Sequence, residues 1–284
     1  MTAARWRKLG LIAGAGPLPR RVARACAARG EPIHVLRLSG MADPAMEEFP
    51  GESVGVAEAG KIIRTLKAAG CDAVVLSGVV KRPDFADLKP DWRGAALIPK
   101  LAASAARGDG ALLKTIVETL EAEGFIVVGP DEATRELIVP QGPLGRIAPD
   151  ADELADIRKA AKVIEALGPF DVGQGAVVAG GLVLAVEAAE GTDLMLDRCA
   201  ALPAELRGGR RRGVLVKRPK PGQELRVDLP VIGPETARRA HRAGLAGIAV
   251  EADRALVIDA AETAAEADST GLFVYGFEAR LARP

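Results

Sequence analysis

The amino-acid sequence predicts an α/β protein: a Rossmann-like parallel sheet at the N-terminus, a mixed α/β domain at the C-terminus, and a ligand cleft between them. Three observations lead there. The chain has 284 residues, more than one domain usually holds. Over roughly the first 135 residues, short apolar runs alternate with amphipathic stretches, the pattern of strands joined by helical crossovers. The stretch "VPQGPLGRIAPD" then breaks every periodicity with three prolines and two glycines. We therefore expect a domain over residues 1–138, a linker over 139–150 and a second domain over 151–284.

Each element follows from local pattern. Leu9 to Ala13 is a buried strand, "GAGPLP" is a glycine turn, and from Leu18 the positions Val22, Ala25 and Cys26 recur at helical spacing until Gly30. "PIHVLRL" is the next strand, "GKIIRTLKAAG" a helix, "CDAVVLSGVV" a strand, "GALLKTIVETLEAEG" a helix and "FIVVG" a strand. In the second half a helix runs from Ala151 to Leu167, and "QGAVVAGGLVLAVEA" reads as a hairpin turning at Ala-Gly-Gly. "TDLMLDRCAAL" is a helix with Thr192 as its N-cap, and "GVLVK" is a strand. "PETARRAHRAG" is a helix opened by Pro234, "GIAVEADRALVID" a second hairpin, "AAETAAEADSTG" a helix and "LFVYGF" a last strand.

Composition excludes several classes. Net charge is formally zero and aromatics make up 3%, whereas a nucleic-acid binder carries a basic excess and stacking rings. Cys26, Cys71 and Cys199 are far apart with no CxxC spacing, so neither a zinc site nor a disulfide framework is expected. With only His34 and His241, any metal must be held by carboxylates, which points to Mg²⁺ or Mn²⁺. The apolar run near the N-terminus is too short for a signal peptide, and no segment approaches a membrane span. The expected location is cytoplasmic.

The candidate site residues lie in four places. Gly14, Ala15 and Gly16 follow a strand and open a helix, so their amides face a phosphate or nucleotide; Pro19 replaces the third glycine of a dinucleotide fingerprint, which disfavours an oxidoreductase. Gly78 and the bases Lys81 and Arg82 follow the third strand, at the carboxyl edge where open α/β sheets bind ligands. Asp109 reads as a helix cap. Glu187 ends an apolar strand, and Glu190, Thr192 and Asp193 follow in a short turn at a helix start. The segment "KRPKPGQELRVDLPVIGPET" places Lys217 after a buried strand and fixes Asp228 beside Pro230, with Arg226 on the same side by strand parity. Lysine, arginine and helix amides suit phosphate, while acids would hold a divalent cation against it. Hydrolysis of a pyrophosphate diester would use both. A non-catalytic nucleotide-sugar sensor is the rival reading, and release of a hydrolysis product separates the two.

Over nearly its whole length the chain resembles the UDP-2,3-diacylglucosamine pyrophosphatases of lipid A biosynthesis. "LGLIAGAGPLP", "DVGQGAVVAGGLVLAVEAAEGTDLML" and "KPGQELRVDLPVIGPETARRAHRAGLAGIAVEA" carry the resemblance, with Glu224 standing where Asp is the commoner residue. It implies hydrolysis of UDP-2,3-diacylglucosamine to UMP and 2,3-diacylglucosamine 1-phosphate with a divalent cation, Mg²⁺ foremost. It also implies a homodimer and transient contact with the inner membrane, where the lipid-linked nucleotide sugar resides. Asp228 is the catalytic residue it implies, assisted by Lys217 and Arg226, with Asp228 ligating the cation or orienting water. On the reading of the residues themselves, Glu187 or Glu190 is the further metal-ligand candidate, and Gln174, Gln223, Thr192, Asp193, Gly78, Arg82 and the 14–16 loop are the expected substrate-binding set.

Overall fold

The structure is a computed structural model that describes residues 5–80, 89–203, 205–206 and 213–282. The chain divides into two compact units, Met1–Arg135 and Glu136–Pro284.

The first unit runs β1 (Leu9–Ala13), α1 (Leu18–Ala28), β2 (Ile33–Leu38), β3 (Gly51–Val54), α2 (Ala59–Ala68), β4 (Ala73–Ser77), α3 (Trp92–Ala105), α4 (Asp109–Ala122), β5 (Ile126–Val128) and the single turn α5 (Pro130–Ala133). Its strands form one parallel sheet in the order β3-β2-β1-β4-β5. Leu9, Leu11, Val35 and Val75 pack against Val22, Ala23 and Cys26 of α1, so the apolar stripe read in the sequence is the stripe that is buried. The strand order reverses between β1 and β4, which makes the crevice beyond their carboxyl ends the topological switch point.

Two elements here escape the sequence pattern. β3 is a four-residue edge strand beginning at Gly51, with the adjacent Glu52 and Ser53 both exposed and only Val54 buried. α3 carries Pro99 in its interior, a residue that normally signals a helix end. Asp91 holds its start, accepting from the amide of Gly94 at 2.8 Å while also taking the amides of Gly60 and Lys61 at the start of α2. Asp109 is not a cap: Gly108 occupies the N-cap position of α4, and Asp109 sits in its first turn.

The second unit runs β6 (Gly142–Pro143), α6 (Ala151–Leu167), β7 (Gly175–Ala179), β8 (Leu182–Val186), α7 (Gly191–Ala200), β9 (Val214–Lys217), β10 (Val231–Ile232), α8 (Pro234–Arg242), β11 (Gly247–Glu251), β12 (Leu256–Val257), α9 (Ala260–Thr270) and β13 (Phe273–Phe277). A mixed sheet has the order β6-β13-β11-β9-β7-β8, with β9, β11 and β13 parallel and β7–β8 an antiparallel hairpin. On one face, Val214, Val216 and Ala249 meet Ile157 and Ala160 of α6. On the other, Leu215, Ile248 and Val250 meet Met195 of α7 and Ala237 and Ala240 of α8. A reciprocal capping box starts α6, with Asp150 accepting from the Glu153 amide and Glu153 from the Asp150 amide, both at 2.8 Å.

Two expectations are corrected. Residues 139–150 are built into the second unit rather than linking two bodies: Val139 is fully buried in its core, and Gly142–Pro143 pairs with β13. The stretch 247–259 is not a hairpin. Its first run, β11, lies between β9 and β13, whereas its second, β12, pairs in parallel with β10 in a separate two-stranded sheet. Asp253, at φ +61°, turns the chain out of the first sheet, and β12 finds its partner in the segment after Pro230.

Candidate active site

The second unit gathers its polar residues at one edge of the mixed sheet. β7 starts where β9 ends, so Gly175 lies opposite Lys217, and the Arg218 amide donates to the carbonyl of Gln174 at 3.0 Å. β8 returns alongside, and the Glu187 amide donates to the Gly175 carbonyl at 2.8 Å. A side chain at Gly175 would place its Cβ 2.4 Å from Glu187 Oε2, so the carboxylate keeps this position only because residue 175 is glycine. The alternation of β9 sends Lys217 to the α7–α8 face with Leu215, and Arg218 to the α6 face with Val216.

Glu187 and Lys217 are 7% and 5% exposed, unusual burial for charged side chains. Glu187 Oε1 accepts from the Thr192 hydroxyl at 3.1 Å, while Oε2 is buried with no hydrogen-bond partner among the described residues. Lys217 Nζ donates to the Val231 carbonyl at 3.2 Å. Asp228 is partly buried, and burial pushes its carboxyl above the usual carboxylate range. Lys220 and Lys217 oppose that shift, and the negative charges of Asp171 and Glu187 add to it. Glu187, Lys217, Lys220, Asp171 and Asp228 therefore form one electrostatic group.

Other expected site residues stand differently. Arg226 does not share a strand face with Asp228: residues 224–228 form a turn, with the Asp228 amide donating to the Glu224 carbonyl at 3.1 Å. Its guanidinium instead forks onto Glu224, with Nε and Nη2 each 2.8 Å from a carboxylate oxygen. Glu190 is engaged by Arg198, 2.6 Å distant, whose hydrogen bond and charge hold it below the usual carboxylate range. Thr192 is not an N-cap; Glu190 precedes α7 in that position, and the Thr192 hydroxyl turns to Glu187. Asp193 is an exposed partner of Arg239 at 3.5 Å. Gln174 and Gln223 bond to each other, Nε2 of Gln223 to Oε1 of Gln174 at 3.2 Å.

In the first unit, two of the three amides expected to meet a phosphate, those of Gly14 and Ala15, are already engaged. Gly14 N donates to the Ser77 carbonyl at 2.9 Å and Ala15 N to the Val79 carbonyl at 2.8 Å, stitching the ends of β1 and β4 together. Gly78, at φ +90°, allows this approach, since a Cβ there would lie 2.6 Å from the Ala15 carbonyl oxygen. Gly16 turns the chain towards α1 at φ +88°. Lys81 and Arg82 lie outside the described residues.

Sequence reasoning missed Asp171, Arg218 and Glu251, and did not single out Lys220. Lys220 pairs with Asp171, which the chain presents at φ +55° after a short 3-10 turn. Glu251 is fully buried and pairs with Arg218 at 2.8 Å and with Arg254 at 3.1 Å. It ends the apolar strand "GIAVE", the same signal that singled out Glu187.

For a divalent cation, no three His, Cys, Asp or Glu side chains among the described residues converge as a ready-made cage. Mg²⁺ commonly takes one or two carboxylates and completes its shell with water and substrate phosphate. The unpartnered oxygen of Glu187 and the carboxylate of Asp228 match that donor set.

Family models cover the chain in two consecutive matches, the LpxI N-terminal domain at residues 8–137 and the LpxI C-terminal domain at residues 140–275. The chain belongs to the LpxI family. A protein of Caulobacter vibrioides named UDP-2,3-diacylglucosamine pyrophosphatase LpxI is 52% identical over 274 residues, which cover 96% of this chain and 98% of that one. The acidic and basic group around Asp228 lies wholly within the match to the LpxI C-terminal domain.

Proposed function

We propose that this chain hydrolyses the pyrophosphate bond of UDP-2,3-diacylglucosamine, giving UMP and 2,3-diacylglucosamine 1-phosphate. The observation that carries the reading is the 52% identity over nearly the full length of both chains to a protein named for that activity. The geometry of the second unit supports it: a buried lysine and two partly or wholly buried acids meet at one sheet edge, the chemistry a pyrophosphate requires.

In this reading Asp228 and Glu187 hold a divalent cation, Mg²⁺ foremost, through carboxylate oxygens. When bound, the cation screens the pyrophosphate and makes the attacking water a stronger nucleophile. The water oxygen bonds to one phosphorus as the bridging P–O bond breaks, and both products leave as phosphate monoesters. Lys217, anchored on the Val231 carbonyl, neutralises charge on the departing phosphate. Thr192 fixes the rotamer of Glu187. A homodimer and transient contact with the membrane carrying the lipid belong to the same proposal. No helix among the described residues is long and apolar enough to cross a membrane.

The test is UMP release from UDP-2,3-diacylglucosamine by the purified protein, with chelator and then with Mg²⁺ restored. Turnover that stops with EDTA and returns with Mg²⁺ is expected. Tight substrate binding without UMP release would replace the enzyme with a sensor, and full turnover after exhaustive chelation would remove the cation.

A further inference from the structure

The thirteen residues between Lys217 and Val231 contain no helix or strand, yet they carry Asp228. The amide of one side chain links three points of this segment and its surroundings. Gln223 Oε1 accepts from the Lys220 amide at 2.8 Å, and Gln223 Nε2 donates both to the Asp228 carbonyl and to Gln174 Oε1, the latter at 3.2 Å. A glutamine amide has two N–H donors and one acceptor oxygen. Both donors of Gln223 are engaged, and the Lys220 amide and Asp228 carbonyl at either end fix which atom is oxygen and which nitrogen. No N–H remains to offer a substrate. The third point, Gln174, takes the Arg218 amide on its carbonyl, so the clamp closes on the same backbone that presents Lys217.

We propose that Gln223 is a positioning residue, a clamp that sets Asp228 relative to Lys217 rather than a contact to substrate. The inference rests on the hydrolytic reading above. Misplacement of a reacting group by about 1 Å can lower turnover about 100-fold. Gln223→Glu has the same length and retains the acceptor for the Lys220 amide, but it cannot donate to Asp228 or Gln174. It lowers kcat by about 10- to 100-fold while KM and the Kd for UMP stay within about threefold of the wild type. Gln174→Met removes one arm from outside the segment; it lowers kcat by less, also at unchanged KM, and carries the test should Q223E fail to fold.

Hydrogen exchange reads the clamp without relying on turnover. In Gln223→Glu, amides of residues 218–230 exchange faster while those of β7, β9 and β11 keep wild-type protection. A rise in KM or UMP Kd with kcat unchanged would make Gln223 a substrate contact and overturn the proposal. Wild-type exchange across 218–230 in the variant would overturn it as well. If the wild type releases no UMP, the hydrolytic reading fails, while the exchange result still decides whether the clamp exists.

Discussion

The buried pair Glu251–Arg218 offers a quantitative test of how the segment holding Asp228 is rooted. Glu251 is completely buried and the Arg218 side chain is 12% exposed; the facing atoms lie 2.8 Å apart as an ion pair without hydrogen-bond alignment. Removing one partner of such a pair costs about 3–5 kcal/mol, because the other charge is left buried and uncompensated. In Glu251→Leu, Arg218 retains only Glu165, 3.4 Å away and half exposed, together with a long contact to the Ala161 carbonyl. That partial rescue places the expected loss near 3 kcal/mol, a fall of roughly 10 °C in the unfolding temperature of a unit this size. Replacing both partners with apolar residues is often neutral, so Glu251→Leu/Arg218→Met should recover at least half of the loss, with a coupling of about 2 kcal/mol. Calorimetry on the four proteins of the cycle measures it. A single Glu251→Leu variant within about 1 kcal/mol of the wild type, or a double variant showing simple addition, would refute the reasoning.

Three further outcomes are expected. Asp228→Ala should lower UMP release by at least about 10²- to 10³-fold with an unchanged circular dichroism spectrum; near-normal turnover would displace Asp228 from the reaction. Glu187→Gln should lower turnover strongly, whereas Glu190→Gln, which breaks only the ion pair with Arg198, should retain it; equal losses in the two assays would contradict the separation of these acids. Asp91→Ala, which uncaps two helices at once, should destabilise the first unit by about 1–4 kcal/mol in urea titration. Burial alone would raise the Asp91 carboxyl, but the amides of Gly94, Gly60 and Lys61 and the charge of Arg64 hold it below its usual value. Its stabilisation is therefore fully present above the unfolded carboxylate pKa and is lost as pH falls through the lower folded value. The gap between wild type and variant should close in acid, and a gap independent of pH would show that the carboxylate charge is not what caps the helices.

Legibility in the sequence followed the range of the interaction. β1, α1, β2, α2, β4 and β5 are readable because their apolar spacing is local and glycine marks their ends. α3 is not, because Pro99 contradicts the pattern and the stabilising cap also serves a different helix. Pairing of β12 with β10 could not be foreseen, since each has two residues and α8 and β11 lie between them in the chain. In the site, Glu187, Lys217 and Asp228 stood out as charges bordering apolar runs or proline. Arg226 and Glu190 stood out equally, and only the fold showed that Glu224 and Arg198 engage them.

By itself the sequence determined the two α/β halves and the stretches where charge is concentrated. These depend on composition and on contacts a few residues apart along the chain. Only the tertiary structure decided which charges form a group. Asp171 reaches Lys220, Glu251 reaches Arg218, and Gln174 reaches Gln223 across separations that no local periodicity records. A buried side chain satisfies its polar atoms with whatever the fold brings near, so the fold separates an acid held in an ion pair from one, like Glu187, with an oxygen left unpartnered among the described residues.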